Sequence, residues 1–323
     1  MKSICYIIPF FGKLPGKAFQ LWLTSCKANP TVNWLIYTDD KTEYNYPENV
    51  AVKYCSYEQL LEKLQNNFDE KIEVKTPWHL SLFKPAYGEI FSEDLIGYDF
   101  WGYCDIDLMW GDIRRFFTKE ILEKYDRIGF YGHSTIFKNT PEVNARYKVI
   151  VPGELNYKDA FFKGNRYSFD ENGIDAIYNY LNIPYYQEII FANLTKYERK
   201  FHLDAMPEED EYKNNRQIFT WKKGRLTRYY LNSGKIFEEE FLYIHFWCRP
   251  MSYKISKFGT DTEYLIYSDV VSDKPFRLTR GLISRKGISH PISFYAKSLW
   301  KNRHKLTPER IIFNIKGALG KNN

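Results

Sequence analysis

The sequence has few cysteines and no long apolar run. Its cysteines are odd in number, scattered, and mostly surrounded by apolar residues: Cys5, Cys26, Cys55, Cys104 and Cys248. This pattern argues against a disulfide framework or a zinc site and indicates reduced thiols in a cytoplasm. No stretch approaches the roughly 18 apolar residues of a membrane span. The apolar segment at the N-terminus is too short for a signal peptide and leads directly into a predicted strand. We therefore expect a cytoplasmic protein.

Two phosphate-binding motifs are also missing. The sequence contains neither Gly-x-Gly-x-x-Gly nor Gly-Lys-Ser/Thr. These glycine-rich loops let backbone N–H groups approach phosphates in dinucleotide- and ATP-binding proteins. Their absence removes support for both of those classes.

Acidic residues are scarce near the C-terminus, although the whole chain carries a net charge of only +6. From Lys274 onward there are twelve basic residues and a single acidic one, Glu309. We call residues 273–323 the basic tail. Such a segment binds nucleic acid or an anionic membrane surface. Apolar residues such as Phe294, Trp300 and Ile311 interrupt the charges. This mixture favours an amphipathic membrane-surface segment over a nucleic-acid arm, and helices packed on the protein itself are the alternative.

Aromatic residues, by contrast, are abundant. The chain has 27 Tyr, 24 Phe and 8 Trp. Planar side chains at this density suit stacking on bases and sugar rings, and they are equally explained by an aromatic-rich core.

Strands and helices alternate from the first residues onward. Predicted strands cover Ser3–Ile8, Val32–Tyr37, Val50–Tyr54, Phe100–Cys104 and Asp126–Tyr131, and predicted helices cover Lys17–Ala28, Ser56–Asn66, Trp78–Phe91, Asp112–Lys124 and Gly173–Leu181. This alternation predicts an α/β fold with a mainly parallel sheet flanked by helices. An antiparallel insert is expected around residues 218–230, and Phe241–Cys248 is the last strong strand candidate. The simplest division is one catalytic domain, 1–272, followed by the basic tail as a helical appendage.

One stretch stands out as a candidate site, because Asp105 and Asp107 directly follow the predicted strand Phe100–Cys104. Alternate residues of an extended segment point to the same side, so both carboxylates can face one point while Ile106 enters the core. Oxygen ligands of this kind suit Mg²⁺ or Mn²⁺. Two acidic residues that simply end a strand are the alternative. The crowding of aromatic residues around the pair favours the metal site.

The order of several segments resembles a GT-A glycosyltransferase, closest to bacterial families that build capsular or O-antigen polysaccharides. The segments are Thr38-Asp39-Asp40, Lys84-Pro85-Ala86-Tyr87-Gly88, Trp101–Asp107 and Tyr243-Ile244-His245-Phe246. The resemblance covers about Ile4 to Lys254, and the Asp-x-Asp segment carries most of it. It implies a Rossmann-like GT-A fold, with residues 1–112 binding the nucleotide sugar and residues 113–272 facing the acceptor.

The resemblance also assigns roles around a bound nucleotide sugar. Asp107 would be a direct ligand of Mn²⁺ or Mg²⁺, Asp105 would hold the metal or the ribose, and His245 would complete the coordination. A lone histidine in an apolar strand is otherwise an ordinary core residue. Arg249 and Lys254 follow closely and could place positive charge on the phosphates, or they could belong to a solvated loop.

Further donor contacts are predicted at the ends of the first two strands. The residues expected to receive the base are Pro9, Phe10, Phe11 and Gly12, with Thr38, Asp39 and Asp40 beside them for the uracil N3–H. The second group is also good turn material. Lys84 is expected to contact a phosphate or the sugar, with an ordinary surface lysine as the alternative.

A second acidic pair, Asp170 and Glu171, supplies the candidate catalytic residues. Inverting glycosyl transfer needs a carboxylate that takes the proton of the acceptor hydroxyl. In a retaining transfer such a carboxylate could instead bind the donor sugar's hydroxyls. Helix capping, with Asp170 at the cap and an acid in the first turn, is the structural alternative.

The sequence thus favours a metal-dependent glycosyltransferase that uses a UDP-hexose at the inner membrane face and modifies a glycan, with a lipid-linked glycan as the expected acceptor. A metal-dependent phosphohydrolase or nucleotidyltransferase is a second possibility. It would need further carboxylates at the metal, and the sequence offers only Asp112 nearby. A non-catalytic sugar- or nucleic-acid-binding protein is a third, although no nucleic-acid partner is expected.

Overall fold

The computed structural model describes residues 1–164, 168–194, 201, 203–204 and 216–287. Its strands are β1 (Ile4–Pro9), β2 (Val32–Thr38), β3 (Val50–Tyr54), β4 (Phe100–Cys104), β5 (Leu108–Trp110), β6 (Arg127–Tyr131), β7 (Ser134–Lys138), β8 (Ala192–Leu194), β9 (Leu203–Asp204), β10 (Gln217–Lys222), β11 (Arg225–Asn232), β12 (Lys235–Glu240), β13 (Tyr243–His245), β14 (Ser252–Lys254), β15 (Tyr264–Tyr267) and β16 (Val270–Ser272). Its α-helices are α1 (Gly16–Lys27), α2 (Tyr57–Gln65), α3 (Tyr87–Ile90), α4 (Ile113–Phe116), α5 (Lys119–Lys124), α6 (Pro141–Ala145), α7 (Tyr157–Phe162), α8 (Ile174–Tyr180) and α9 (Arg280–Lys286). The chain is therefore of the α/β class.

The first sheet has the strand order β3-β2-β1-β4-β7-β6. Its first four strands are parallel, β7 is antiparallel to β4, and β6 is antiparallel to β7. Because β1, β2 and β4 run in the same direction, their carboxyl ends meet at one edge of the sheet. We call this the carboxyl edge, and open α/β sheets bind their ligands there.

The continuous apolar sequence of β1 is explained by burial on both faces of this sheet. Cys5 and Ile7 pack into one hydrophobic cluster, while Ile4, Tyr6 and Ile8 pack into another on the opposite face. The two clusters hold the sheet between helical layers.

The described residues form three sheets, whereas the sequence suggested one main sheet with an insert. The second sheet, β12-β11-β10-β15-β16-β14, contains the expected antiparallel pieces as the hairpin β10–β11. The third, β5-β13-β8-β9, is built from strands of two or three residues. The predicted strand Phe241–Cys248 is shortened to β13, because the chain turns directly after His245.

The predicted helices agree with the structure at α1, α2 and α8. Ser56 caps α2 through a reciprocal capping box with Gln59. The predicted helix over Trp78–Phe91 is a 3₁₀ helix, Pro77–Ala86, followed by α3, since Pro85 cannot donate a backbone hydrogen bond. The predicted helix Asp112–Lys124 is divided into α4 and α5.

Only the start of the basic tail lies within the described residues. Helix α9 packs on the second sheet, where Ile283 is buried with Ile218 and Leu265. For residues 280–286 this agrees with packing on the protein's own body. The rest of the tail, residues 288–323, lies outside the described residues. In the part of the chain that the structure describes, no helix combines the length and apolar character needed to cross a bilayer.

Candidate functional site

The two carboxylates of the Asp-x-Asp stretch lie in the bend that joins β4 to β5, at the carboxyl edge. Asp105 N donates to His133 O at 3.0 Å, and Phe246 N donates to Asp107 O at 2.8 Å, so the bend is fixed from both sides. Ile106 packs into the core, as the alternation predicted, while the Asp105 and Asp107 side chains are 39% and 28% exposed. The bend therefore presents both carboxylates to solvent.

His245 joins this pair because β13 lies antiparallel to β5, with His245 opposite Leu108. Its Nε2 is 3.2 Å from Asp107 Oδ1 and 3.9 Å from Asp105 Oδ2. One potential ligand atom from each of the three residues lies within 4.8 Å of the others, the spacing of a candidate metal site. We call these residues the Asp-Asp-His cluster. The two carboxylates suit Mn²⁺ or Mg²⁺, and the imidazole nitrogen can add a ligand to a transition metal such as Mn²⁺.

Asn193, which the sequence did not single out, orients the histidine. Strands β8 and β13 place the two residues opposite each other, and His245 Nδ1 lies 2.8 Å from Asn193 Oδ1. Because an amide oxygen can only accept, Nδ1 carries a proton, and Nε2 is the nitrogen that faces the carboxylates. Histidine ligands of metals are held in this way by a second hydrogen bond.

The surroundings of Asp107 favour its ionised form. Burial alone would raise the pKa of this carboxyl, but His245, through its charge and its hydrogen bond, acts in the opposite direction. The backbone N–H of Cys248 adds a hydrogen bond to Asp107 Oδ2 at 2.6 Å. Together these groups hold the pKa of Asp107 well below its usual range. A carboxylate that stays ionised is ready to bind a cation.

Lys84 is a partly buried member of the site, so the alternative of an ordinary surface lysine is wrong. Its side chain is 12% exposed, and Nζ contacts Asp105 Oδ1 at 2.8 Å, Gly132 O at 2.8 Å and Asp170 Oδ2 at 3.8 Å. Burial lowers the pKa of Lys84, but Asp105 and Asp170 outweigh it and raise the pKa above its usual range. The ammonium group thus links the Asp-Asp-His cluster to the second acidic pair.

Asp170 and Glu171 lie in a π-helical turn, Phe169–Gly173, just before α8. Neither Ser168, before this turn, nor Gly173, before α8, makes a side-chain cap, so the predicted N-cap role of Asp170 is wrong. Both acids do lie in the first turn of the helical segment, as the structural alternative expected for one of them. Burial, partly offset by Lys84, raises the pKa of Asp170 to about 7. A carboxyl group with such a pKa can exchange a proton near neutral pH.

The loop that faces this acidic pair needs a glycine at residue 132. Gly132 N donates to Glu171 Oε1 at 2.8 Å. A Cβ atom at Gly132 would lie 2.4 Å from Asp170 Oδ2, which is closer than real contacts allow. The backbone of the β6–β7 turn therefore lies directly against the side chains of Asp170 and Glu171.

His133 is a second residue that the sequence does not single out. Its imidazole is buried, with Nδ1 2.9 Å from Tyr243 Oη and its ring 4.5 Å from that of His245. Burial, and then the neighbouring His245, lowers the pKa of His133 well below its usual range. A neutral imidazole therefore packs against the ring of His245, the candidate metal ligand. No motif pointed to this residue, because its hydrogen-bonding partner Tyr243 is 110 residues away in sequence.

The predicted base-binding segments also lie at the carboxyl edge and are tied to each other. Gly12 N donates to Asp39 Oδ1 at 2.8 Å, and Phe10 N donates to Tyr37 O at 2.8 Å. Asp40 accepts from Leu14 N at 2.9 Å, while Thr38 is buried and accepts from the Asp40 N–H. These bonds fit the turn alternative for Thr38–Asp40. Contact of Pro9, Phe10, Phe11 and Gly12 with a base stays a prediction.

The two predicted phosphate contacts differ in exposure. Arg249 is 3% exposed, and its Nε donates to Ser268 O at 3.3 Å, so it does not lie in a solvated loop. Lys254 is exposed on β14, at the edge of the second sheet. Phosphate binding by either residue stays a prediction.

The turn that follows β13 has an unusual backbone. Arg249 N donates to Phe246 O at 2.7 Å, and the two central residues, Trp247 and Cys248, have φ angles of 42° and 53°. Positive φ at both central positions is typical of a type I′ turn, in which Asn-Gly is the preferred pair. For other L residues this conformation costs about 1–2 kcal/mol each. Strain of this kind is concentrated at functional sites.

The comparisons with known proteins give a family without an assigned activity. Residues 6–275 match the model of a family of unknown function (DUF6625), and the chain belongs to that family. No curated protein matches the sequence.

Proposed function

We propose that this protein is a metal-dependent glycosyltransferase of the GT-A type that transfers a hexose from a UDP-sugar to a glycan acceptor. The observation that carries the proposal is the convergence of Asp105, Asp107 and His245 at the carboxyl edge of a sheet with the order β3-β2-β1-β4. The sequence resemblance and the position of the β1 and β2 loops at the same edge support it.

The donor atoms of the Asp-Asp-His cluster fit a divalent cation. Asp107 is held ionised, and Asn193 keeps Nε2 of His245 directed at the carboxylates. Mn²⁺ or Mg²⁺ bound there would stabilise the negative charge that develops on a diphosphate leaving group.

The remaining polar residues would serve the transfer itself. The bond from the anomeric carbon to the diphosphate oxygen breaks, with its electron pair leaving on the diphosphate, and a bond to the acceptor oxygen forms. In an inverting transfer the acceptor's hydroxyl proton goes to Asp170, whose raised pKa suits that role. In a retaining transfer Asp170 would instead accept hydrogen bonds from the donor sugar. Lys84 holds Asp170 and Asp105 in a fixed relation in either case.

The nucleotide would lie over the loops after β1 and β2, with the phosphates directed toward the cluster. A lipid-linked acceptor and attachment to the inner membrane face rest on the basic tail, most of which lies outside the described residues.

A phosphohydrolase or nucleotidyltransferase is less well supported. It would need further carboxylates on the metal, and Asp112 caps α4, accepting from Arg114 N at 3.1 Å and from Arg115 N at 3.3 Å. Among the residues that the structure describes, one group of three potential ligands was found, and it contains two carboxylates.

A thermal-shift panel tests the proposal. UDP, GDP, CMP and their common sugar conjugates are added with and without Mn²⁺ to wild type, Asp107→Ala and Asp112→Ala. We expect a Mn²⁺-dependent rise in melting temperature with UDP-hexoses for wild type and Asp112→Ala, and none for Asp107→Ala. Ligand at a hundredfold excess over Kd stabilises by about 2.7 kcal/mol.

If no nucleotide or nucleotide sugar changes the melting temperature of folded wild-type protein, the proposal is refuted. Metal-dependent release of phosphate from simple phosphoesters, lost in both variants, would favour the hydrolase. If Asp107→Ala leaves sugar binding unchanged, a non-catalytic binding protein would be favoured.

A further inference from the structure

We propose that Trp247 is a sugar-binding platform, whose indole stacks on the C–H face of a pyranose ring held beside the Asp-Asp-His cluster. The inference rests on the proposed function, to which it adds the contact with the hexose itself.

The first support is the position of the indole. Trp247 follows His245 by two residues, in the turn Phe246–Arg249. The residues on both sides of it are fixed to the Asp-x-Asp bend, because Phe246 N donates to Asp107 O at 2.8 Å and Cys248 N donates to Asp107 Oδ2 at 2.6 Å. Any ligand that reaches the Asp107 carboxylate therefore lies close to this turn.

The second support is the backbone of the turn. Both central residues have positive φ, a conformation that glycine and asparagine adopt easily and that a bulky residue rarely adopts. Asn-Gly would form the same turn without strain, and the turn would still supply the N–H to Asp107. The indole thus occupies a position where the local structure disfavours a bulky side chain, which indicates a role for the side chain.

The third support is exposure. Trp22, Trp34, Trp101, Trp110 and Trp221 are each less than 2% exposed, so they belong to the core. Trp247 is 39% exposed. An indole has a large apolar face and one polar edge, which suits an amphipathic ring such as a pyranose. A base is less suitable here, because the predicted base loops follow β1 and β2, whereas this turn belongs to the third sheet.

Equilibrium binding to three variants tests the platform. Trp247→Asn keeps the turn and removes the indole, Trp247→Phe keeps an aromatic face, and Trp78→Asn removes another exposed tryptophan as a control. Each is titrated with UDP, with UDP-glucose and UDP-galactose, and, once loaded with UDP, with methyl hexosides, all in Mg²⁺. Melting temperatures report whether the variants remain folded.

For Trp247→Asn we expect unchanged UDP affinity and at least a tenfold loss for one sugar class. If the affinity for UDP-hexoses falls, Trp247 stacks on the donor sugar. If the affinity for methyl hexosides falls, it stacks on the acceptor sugar. Trp247→Phe should retain most of the affinity, and Trp78→Asn all of it.

Two outcomes overturn the platform alone while the proposed function stands. Either wild type binds UDP-hexoses and Trp247→Asn binds every ligand equally well, or Trp247→Asn loses UDP and UDP-hexoses to the same extent. Wild-type protein that binds neither UDP nor any UDP-hexose would instead contradict the proposed function, and the platform with it.

Discussion

At the scale of single residues, the direction of one histidine nitrogen decides whether the candidate metal site can work. His245 has two ring nitrogens, and only a partner on Nδ1 keeps Nε2 available to the carboxylates. Asn193 provides that partner with an oxygen that accepts from Nδ1 at 2.8 Å. The metal affinity of the Asp-Asp-His cluster should therefore depend on a residue that does not belong to it.

We predict that Asn193→Leu weakens Mn²⁺ binding, whereas Asn193→Asp does not. Loss of a hydrogen bond that orients a histidine ligand typically costs 10–100-fold in metal affinity. Aspartate keeps an oxygen that can accept from Nδ1. Titration calorimetry with Mn²⁺ measures both variants against wild type. Equal affinities of Asn193→Leu and wild type would mean that the histidine is oriented by other contacts.

A second residue-scale prediction concerns Asp170 and pH. Its pKa is about 7 in the folded protein, above the value of about 3.9 for an unperturbed aspartate. The folded state therefore binds this proton more tightly than the unfolded chain does. The resulting stabilisation is complete below pH 4 and is lost as pH rises through about 7.

Asp170→Asn removes this titration, so the difference in unfolding free energy, wild type minus variant, should fall between pH 5 and pH 8. Urea denaturation of both proteins across that range measures it. A difference that stays constant, or that grows with pH, would show that the Asp170 pKa is not raised. The comparison with the variant cancels the effect of all other titrating groups that the substitution leaves unchanged.

At the scale of elements, the turn Phe246–Arg249 combines a strained backbone with the proposed sugar contact of Trp247. Its backbone supplies an N–H to Asp107, yet Trp and Cys occupy positions that favour Asn and Gly. Stability and function would then make different demands on the same four residues.

We predict that Cys248→Gly stabilises the protein by about 1 kcal/mol, because glycine adopts positive φ without steric cost. Cys248→Ala is the matched control, since alanine keeps the unfavourable φ and the backbone N–H while removing the thiol. Chemical denaturation of the three proteins measures the effect. The strain interpretation fails unless Cys248→Gly is more stable than Cys248→Ala.

At the scale of the whole molecule, most of the first sheet was predictable, although its strand β7 was not, and of the third sheet only β13 was expected as a strand. Strands such as β1 and β4 are continuous apolar runs, and that pattern needs no knowledge of their neighbours. Strands β5, β8 and β13 have three residues each. Pieces this short carry little periodicity, and they become strands only because tertiary packing brings them together. The sequence could therefore indicate the α/β class but not the number of sheets.

The dependence on tertiary packing also explains which residues of the candidate site could be recognised from the sequence. Asp105 and Asp107 were recognisable because they are close in sequence and follow a buried strand. Asn193 and His133 were not, because each acts through a partner that only the third sheet brings near. The partner of Asn193 is 52 residues away, and that of His133 is 110 residues away. A local sequence pattern is enough to recognise a pair of carboxylates, but it does not reveal hydrogen-bonding partners that are distant in sequence.

The position of the Asp-Asp-His cluster leads to a prediction for the entire fold. Asp105 and Asp107 lie in the link between the first and third sheets, and His245 lies on the third sheet. A divalent cation bound to all three would connect these sheets and offset the repulsion between the two carboxylates. Because the unfolded chain does not bring the three residues together, binding should favour the folded state.

We therefore expect Mn²⁺ alone to raise the melting temperature of the wild-type protein, and EDTA to reverse the rise. At a hundredfold excess of metal over Kd the gain is about 2.7 kcal/mol. His245→Ala should abolish most of it, whereas Asp69→Asn, which removes an exposed carboxylate from another part of the chain, should leave it intact. A rise that persists in His245→Ala would place the cation elsewhere. Since this test needs no nucleotide, it separates the metal site from the identity of the donor.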